Sequence, residues 1–162
     1  MSEEMLEVID EQREYEKNGL VYEPEDTIQK YLAFKSDDLT FGIMVDTVIE
    51  IITNHSVTSL PCVPDYIQGI INLRGQIIPI IDIRLRMEKA AGENIKDACV
   101  IIIELDEITI GILVDEMLQV FDVKTKVIAS PSKNQPFVNG LIHLADGTVM
   151  FCLDCELLVS TH

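Results

Sequence analysis

The sequence predicts a mainly β fold built from a duplicated five-stranded unit, with short connecting helices. Three observations support this prediction. Short β-rich runs alternate with turn residues, two segments (67–82 and 98–114) are rich in isoleucine and valine, and the chain repeats itself once. Apolar residues make up 48% of the 162 residues, which is enough for a core and too many for a disordered protein.

Ten candidate strands follow one another from residue 28 onward, each about as long as an ordinary strand. Regular short strands separated by turn residues are typical of sandwiches and barrels. Asp37-Asp38 and Arg74-Gly75 mark hairpin turns, and glycine suits a tight turn. Because proline cannot donate to a ladder, we expect Pro79 at an edge or a bulge. The predicted strands are 30–35, 39–45, 48–54, 67–73, 76–82, 98–105, 107–114, 117–123, 138–144 and 148–154.

An internal repeat relates the first five strands to the last five. Two glycines and two aspartates match in the same order, which chance matches between apolar segments do not explain. The period is too long for a solenoid and fits a duplicated unit. The aligned segments, at offsets of 69 to 72 residues, are 31–34 with 100–103, 39–46 with 108–115, 66–73 with 137–144, and 81–82 with 153–154.

The repeat also sets the predicted domain boundaries. Residues 1–27 form an acidic tail, disordered or helical, and residues 28–158 form one domain. Within it, subdomain one covers 28–83, a linker helix covers 84–97 and subdomain two covers 98–158. Helix formers continue to Ala91 and Gly92 follows as a stop, while Asp82 and Asp154 are predicted helix caps.

Charge restricts the possible partners. The chain has 28 acidic and 12 basic residues, so its formal net charge is −16. Residues 1–26 hold ten of the acids and two of the bases, which leaves −8 there and −8 in the rest. No basic patch is available for nucleic acid, and the same sign disfavours an anionic membrane surface. With no signal or membrane-spanning run visible, we expect a cytoplasmic protein with reduced cysteines and no membrane insertion.

Catalytic and metal-binding patterns are weak. Cys152 and Cys155 form a single CxxC in an apolar strand, whereas a structural zinc site usually needs two such pairs. The three histidines lack metal-pair spacing, and neither a phosphate loop nor a serine elbow is present. The acidic pair Asp37-Asp38 is interpreted as a solvated turn. We therefore predict no catalytic residues, no metal and no cofactor; an enzyme or a ligand-binding barrel is the competing class.

Arg74 is the most distinctive polar residue of the domain, because it lies at a hairpin tip and its repeat counterpart, Ala145, is uncharged. An arginine on a rigid turn can pair bidentately with a partner's carboxylate. The alternatives are a solvated turn residue or an internal pair with Glu50 or Asp82. Residue chemistry alone leaves these possibilities open.

The segment around Arg74 also carries a family signature. Residues 69–82, GIINLRGQIIPIID, resemble the CheW family, the coupling proteins of bacterial chemotaxis. Upstream, Phe41-Gly42-Ile43 and the segment 48–51, VIEI, are similar to the same family, as are Leu60-Pro61 and Pro64. The resemblance covers about residues 28–158 and implies two five-stranded SH3-like barrels that share an apolar core.

The resemblance further implies a non-enzymatic scaffold at receptor arrays, on the inner face of the membrane. Its expected partners are the regulatory domain of the histidine kinase CheA and the cytoplasmic tip of methyl-accepting chemoreceptors. The alternative is a free-standing regulatory module of the CheA type. The residues that match the family's partner-binding positions are the motif arginine Arg74, its paired glutamate Glu50, the apolar Val48 and Ile51, and the turn residues Asn72 and Gly75.

Overall fold

All ten predicted strands form, and they make two five-stranded sheets. The computed structural model describes residues 27–53, 56–89, 98–131 and 135–160, so the predicted N-terminal tail lies almost wholly outside the described residues. The strands are β1 (Ile28–Ser36), β2 (Leu39–Met44), β3 (Val48–Ile52), β4 (Ile67–Leu73), β5 (Gln76–Asp82), β6 (Cys99–Leu105), β7 (Ile108–Val114), β8 (Glu116–Lys124), β9 (Val138–His143) and β10 (Val149–Leu153). Two short helices, α1 (Ile83–Arg86) and α2 (Cys155–Val159), and 3₁₀ turns at Val45–Thr47 and Thr125–Val127 complete the described part.

The two sheets are related by the repeat. The first has the strand order β8-β1-β2-β10-β9 and the second has the order β3-β6-β7-β5-β4. Replacing each strand of one sheet by its repeat counterpart gives the other sheet. Pairings agree as well, since Gly42 lies opposite Cys152 in the first sheet and Gly111 lies opposite Ile80 in the second. The predicted duplication is therefore confirmed by topology and by register.

The sheets do not coincide with the contiguous ranges 28–83 and 98–158. Each sheet takes two strands from one half of the chain and three from the other. The physical reason lies in the connections, because β2 leads into β3 through Val45–Thr47 and β7 leads into β8 through Asp115. Neither connection has the two-residue turn of positive φ that folds a strand back on itself, as Asp37-Asp38 does between β1 and β2, so the chain crosses to the other sheet. The two sequence halves are thus intertwined.

Each sheet is curled, but no continuous ladder closes it. Thr58, after β3, exchanges two backbone hydrogen bonds of 2.9 Å with Ile70 on β4. Ala129, after β8, does the same with Leu141 on β9. These isolated pairs lie at equivalent points of the repeat and bring the two edges of each sheet together. The arrangement is compatible with the predicted SH3-like barrels.

One large core lies between the sheets and two smaller cores lie within them. Phe34 and Phe41 from the first sheet pack with Ile101 and Ile112 from the second in the shared core. On β6, Val100 and Ile102 point instead into the second sheet's own core. Residues 99–103 are consequently all buried, because each face of β6 meets a different core. This explains the unbroken apolar runs, which the sequence predicts as strands buried on both faces.

Local signals are confirmed at the helix starts and corrected at Pro79. The Asp82 side chain accepts the Arg84 N–H at 2.9 Å, and Asp154 accepts the Leu157 N–H at 3.2 Å, so both predicted caps form. Helix α1 ends at Arg86, where Glu88 takes a left-handed φ of 60°. Residues 90–97 of the predicted linker helix lie outside the described residues. Pro79 lies in a central strand, one residue before the pairing of β5 with β7 begins at Ile80, so no ladder N–H is required there.

Candidate partner-binding site

The β4–β5 hairpin holds Arg74 at its tip in a rigid two-residue turn. Leu73 pairs with Gln76, and the turn residues Arg74 and Gly75 have φ values of 51° and 84°. Positive φ at both central residues is the type I′ geometry that matches the twist of the flanking strands. The Asn72 side chain accepts the Gly75 N–H at 3.0 Å, which adds a second constraint. The backbone of Arg74 is therefore fixed by its neighbours.

Arg74 forms a bidentate ion pair with Glu50 of β3. Nη1 donates to Oε2 at 2.9 Å and Nη2 donates to Oε1 at 3.0 Å. The sequence leaves several partners possible for Arg74, and the structure contains the internal pair with Glu50. The Arg74 side chain is 74% exposed and that of Glu50 is 30% exposed. An ion pair this exposed contributes only about 0–1 kcal/mol to stability, so its geometry matters more than its energy.

A β-bulge in β3 directs Glu50 towards the hairpin. Val48 lies opposite Ile103 while Glu50 lies opposite Ile102, so β3 holds one extra residue, Ile49, at this point. The extra residue shifts the alternation of side chains along the strand. Glu50 then shares the face of Ile102, which packs with the isoleucines of the β4–β5 hairpin. The bulge thus brings two residues that are 24 positions apart in the sequence into contact.

Exposed isoleucines accompany the ion pair. Ile51 is 41% exposed, whereas Val48 is half-buried against the shared core. Two further residues were not predicted, namely Ile49 at 51% exposure and Ile77 at 56%. Ile77 lies opposite Asn72 in the hairpin. Nothing in these isoleucine-rich segments distinguishes exposed members from buried ones, so sequence reasoning missed both.

The other half of the repeat lacks this ion pair. Gln119 occupies the position of Glu50 and Ala145 that of Arg74, so no pair can form there. In that place the first sheet has an open cavity of about 550 Å³, lined by residues that include Lys35, Gln119 and Asp146. One unit folds without the pair while the other has it. The repeated fold as such therefore does not require an ion pair at this position.

Two other arginines act inside the molecule. Arg84 Nε donates to both carboxylate oxygens of Asp115 at 2.9 and 3.0 Å, Nη2 also donates to Asp115, and Nη1 donates to Asp37 at 3.1 Å. Asp115 raises the pKa of Arg84. Asp37, which we expected in a solvated turn, is therefore paired. These three residues tie α1 to a hairpin of the first sheet and to the β7–β8 crossover.

Arg86 lies between the two halves of the repeat. Its guanidinium carbon is 4.4 Å from the ring centre of Tyr66 and 4.5 Å from that of Phe137. Tyr66 and Phe137 are repeat counterparts, so one cation contacts the same position of both units. Nη2 of Arg86 also donates to the Ser160 carbonyl at 3.0 Å.

The cysteines of the CxxC are buried thiols. Burial raises the pKa of Cys152 to about 11 and that of Cys155 to about 12, so neither forms a thiolate near neutral pH. Cys62 is exposed, and within the described ranges no group of three or more His, Cys, Asp and Glu residues could hold a metal ion. Over the same ranges, no helix has the length and hydropathy needed to cross a membrane.

Two pseudo-symmetric sheets around one core, with an exposed ion pair beside exposed isoleucines, define a β module suited to binding other proteins. Residues 30–162 match the family model of the CheW-like domain. The chain therefore belongs to the CheW family of chemotaxis coupling proteins, which confirms the resemblance read from the sequence.

Individual relatives agree with this assignment. The chain is 31% identical over 140 residues to the chemotaxis protein CheW of Treponema pallidum, covering 80% of this chain and 81% of that protein. It is 35% identical over 104 residues to CheW of Bacillus subtilis, covering 64% and 67%. The crystal structure of the scaffolding protein TtCheW from Thermoanaerobacter tengcongensis superposes with a TM-score of 0.78 at 28% identity, covering 84% of this chain and 95% of that one.

Proposed function

We propose that this protein is a chemotaxis adaptor that couples chemoreceptors to the histidine kinase CheA. Its partners are the regulatory domain of CheA and the cytoplasmic tip of the receptors. Membership of the CheW family supports the proposal. The structural observation that carries it is the exposed Arg74–Glu50 ion pair, which is present in one unit of the repeat and absent from its counterpart.

In this proposal Arg74 is the central contact residue. Arginine and aromatic side chains dominate the binding energy of many interfaces, and charged pairs gain strength when a partner excludes water. Glu50 accepts one hydrogen bond from each of the two terminal guanidinium nitrogens, Nη1 and Nη2, and so holds Arg74 in one orientation. A partner carboxylate can approach the donors that remain. Asn72 and Gly75 maintain the turn that presents Arg74.

Apolar side chains supply the rest of the surface. Ile49, Ile51 and Ile77 expose apolar area around the β3 edge and the hairpin, and burying such area is the main favourable term in association. Half-buried Val48 supports them from the shared core. A standard interface takes about 800 Å² from each partner, so a domain of this size has room for two separate partners.

The protein acts in this proposal without catalysis, in the cytoplasm beside receptor arrays. Family membership supports this placement. The alternative, a free-standing regulatory module of the CheA type, is not favoured, because the match to a scaffolding protein covers 95% of that chain.

A reconstituted assay tests the proposal. Purified protein, CheA and a receptor signalling fragment are combined, and kinase activity and co-sedimentation are measured. We expect Arg74→Asp to lower both, while Lys89→Asp, with the same charge change at another exposed cation, leaves them unchanged. Full kinase activation by a folded Arg74→Asp protein would contradict the proposal.

A further inference from the structure

The edge strand β8 has an exposed apolar and basic surface for which the described residues provide no cover. β8 pairs with β1 on one side and ends the first sheet on the other. Its nine residues are long for an edge strand, and proteins commonly shield such edges against unwanted pairing. The equivalent edge strand β3 has five residues and is crossed by the Arg74–Glu50 pair. β8 has no such crossing, because Gln119 and Ala145 replace that pair.

We define the β1–β8 face as Ile28, Lys30, Val120, Asp122 and Lys124. On β8 these residues alternate with Phe121 and Val123, which pack into the first sheet's own core. Ile28 is opposite Lys124 in the register, and Lys30 pairs with Asp122 at 2.8 Å. Ile28 and Val120 are 54% and 51% exposed. The face therefore combines unburied apolar area with positive charge.

The charge of this face is opposite to that of the rest of the domain. Its cations are Lys30 and Lys124, with Lys126 just beyond, and its anion is Asp122. The local sum is thus positive, although residues 27–162 together carry −8. At physiological ionic strength the Debye length is about 8 Å, so the nearby lysines determine what an approaching segment experiences.

The N-terminal segment leaves the domain at the same place. Thr27 accepts a backbone hydrogen bond from Thr125 at 3.0 Å, so Thr27, where the described chain begins, lies beside the end of β8. Residues 1–26 carry −8 and include the apolar residues Met5, Val8 and Ile9. The segment spans at most about 90 Å when extended, against about 30 Å for β8, so reach is not limiting.

We propose that residues 1–26 dock on the β1–β8 face and cover the β8 edge. The segment's acids meet Lys124 and Lys126, and its apolar residues meet Ile28 and Val120. A tethered segment has an effective concentration on the order of millimolar, so a weak contact is enough to populate the docked state. This inference is independent of the proposed coupling function.

Carbodiimide cross-linking of the full chain tests the docking, because the reagent joins carboxylates to lysines in direct contact. A dilute mixture of ¹⁴N- and ¹⁵N-labelled protein is treated and mapped by mass spectrometry. We expect links from the acids of residues 3–16 to Lys124 and Lys126 within one molecule, so that both linked peptides carry the same isotope. These links should be in several-fold excess over links to Lys35 and Lys89. They should also be suppressed by 1 M salt. Isotopically mixed links would assign the face to a second copy. The proposal is overturned by isotopically mixed links, by links spread evenly over the lysines, or by the absence of links from residues 3–16.

Limited trypsin digestion gives an independent readout, since Arg13 and Lys17 lie within the segment. We expect Lys124→Glu/Lys126→Glu to speed cleavage after Arg13 several-fold relative to the wild type. The control Lys35→Glu/Lys89→Glu carries the same charge change elsewhere and should leave the rate unchanged. Equal rates in all three proteins, each shown to be folded by circular dichroism, would contradict docking even where chemotactic coupling is intact.

Discussion

Asp115 and Arg84 form the ion pair that joins the two sheets at one crossover. Arg84 comes just after β5 of the second sheet, and Asp115 is the single residue between β7 and β8, where the chain passes to the first sheet. Both side chains are largely buried, with exposures of 19% and 16%. The Asp37 N–H also donates to Asp115 at 2.9 Å. This pair, unlike Arg74–Glu50, is a stabilising element of the fold.

Arg84→Met should therefore destabilise the protein by about 3 kcal/mol, because removing one partner leaves the Asp115 carboxylate buried without its cation. The control Lys30→Met breaks an exposed ion pair and should cost about 0–1 kcal/mol. Urea denaturation followed by circular dichroism measures both. Equal effects for the two variants would show that the crossover pair has no special role.

Exchanging the charges of the Arg74–Glu50 pair distinguishes direct partner binding by Arg74 from a structural role of the ion pair. In Arg74→Glu/Glu50→Arg the internal ion pair can re-form, so stability should stay within about 1 kcal/mol of the wild type. If Arg74 binds a partner directly, affinity for that partner should still fall by roughly thirtyfold, the effect of losing a hot-spot residue of about 2 kcal/mol. Isothermal titration with a receptor fragment and with CheA measures it. Restored affinity in the double variant would reduce Arg74 to a purely structural role.

Gly42 and its repeat counterpart Gly111 should respond differently to substitution by alanine. A Cβ at Gly111 would lie 2.5 Å from Ile80 Cδ1 and 2.7 Å from Val100 Cγ1, and these branched side chains are stiff. A Cβ at Gly42 would lie 2.7 Å from Met150 Sδ, which is flexible and can move. Gly111→Ala should cost about 1–3 kcal/mol and Gly42→Ala less. Thermal unfolding of the two variants decides the order, and the reverse order would refute this explanation.

Only one of the four thiols should react quickly in the native protein. Cys62 is exposed, whereas Cys99, Cys152 and Cys155 are buried and burial raises the pKa of each. At pH 8 a thiol with a pKa of about 11 is ionised in about one molecule in a thousand. Titration with a thiol reagent should give one fast equivalent natively and four in denaturant. Cys62→Ser should abolish the fast phase, and a fast phase that persists would place a reactive thiol in the core.

The sequence by itself determined the strands, the turns, both helix caps and the repeat. These depend on residues close together in the chain, such as Asp82 and the N–H of Arg84 two residues later, or the Arg74-Gly75 turn. It also assigned the family, because the motif around Arg74 is a continuous segment. It left Arg74 open between a carboxylate of another protein, an internal pair with Glu50 or Asp82, and a solvated state.

Tertiary structure alone decided how the strands are shared between the sheets and which isoleucines reach the surface. Ile49 and Ile101 are the same residue type in similar apolar runs, yet Ile49 is 51% exposed at an edge and Ile101 is fully buried in the shared core. Exposure depends on a strand's place in its sheet, which follows from the crossovers at Val45–Thr47 and Asp115. The contacts of Arg84 with Asp37 and Asp115 likewise join segments distant in sequence, so they exist only once both sheets have packed together.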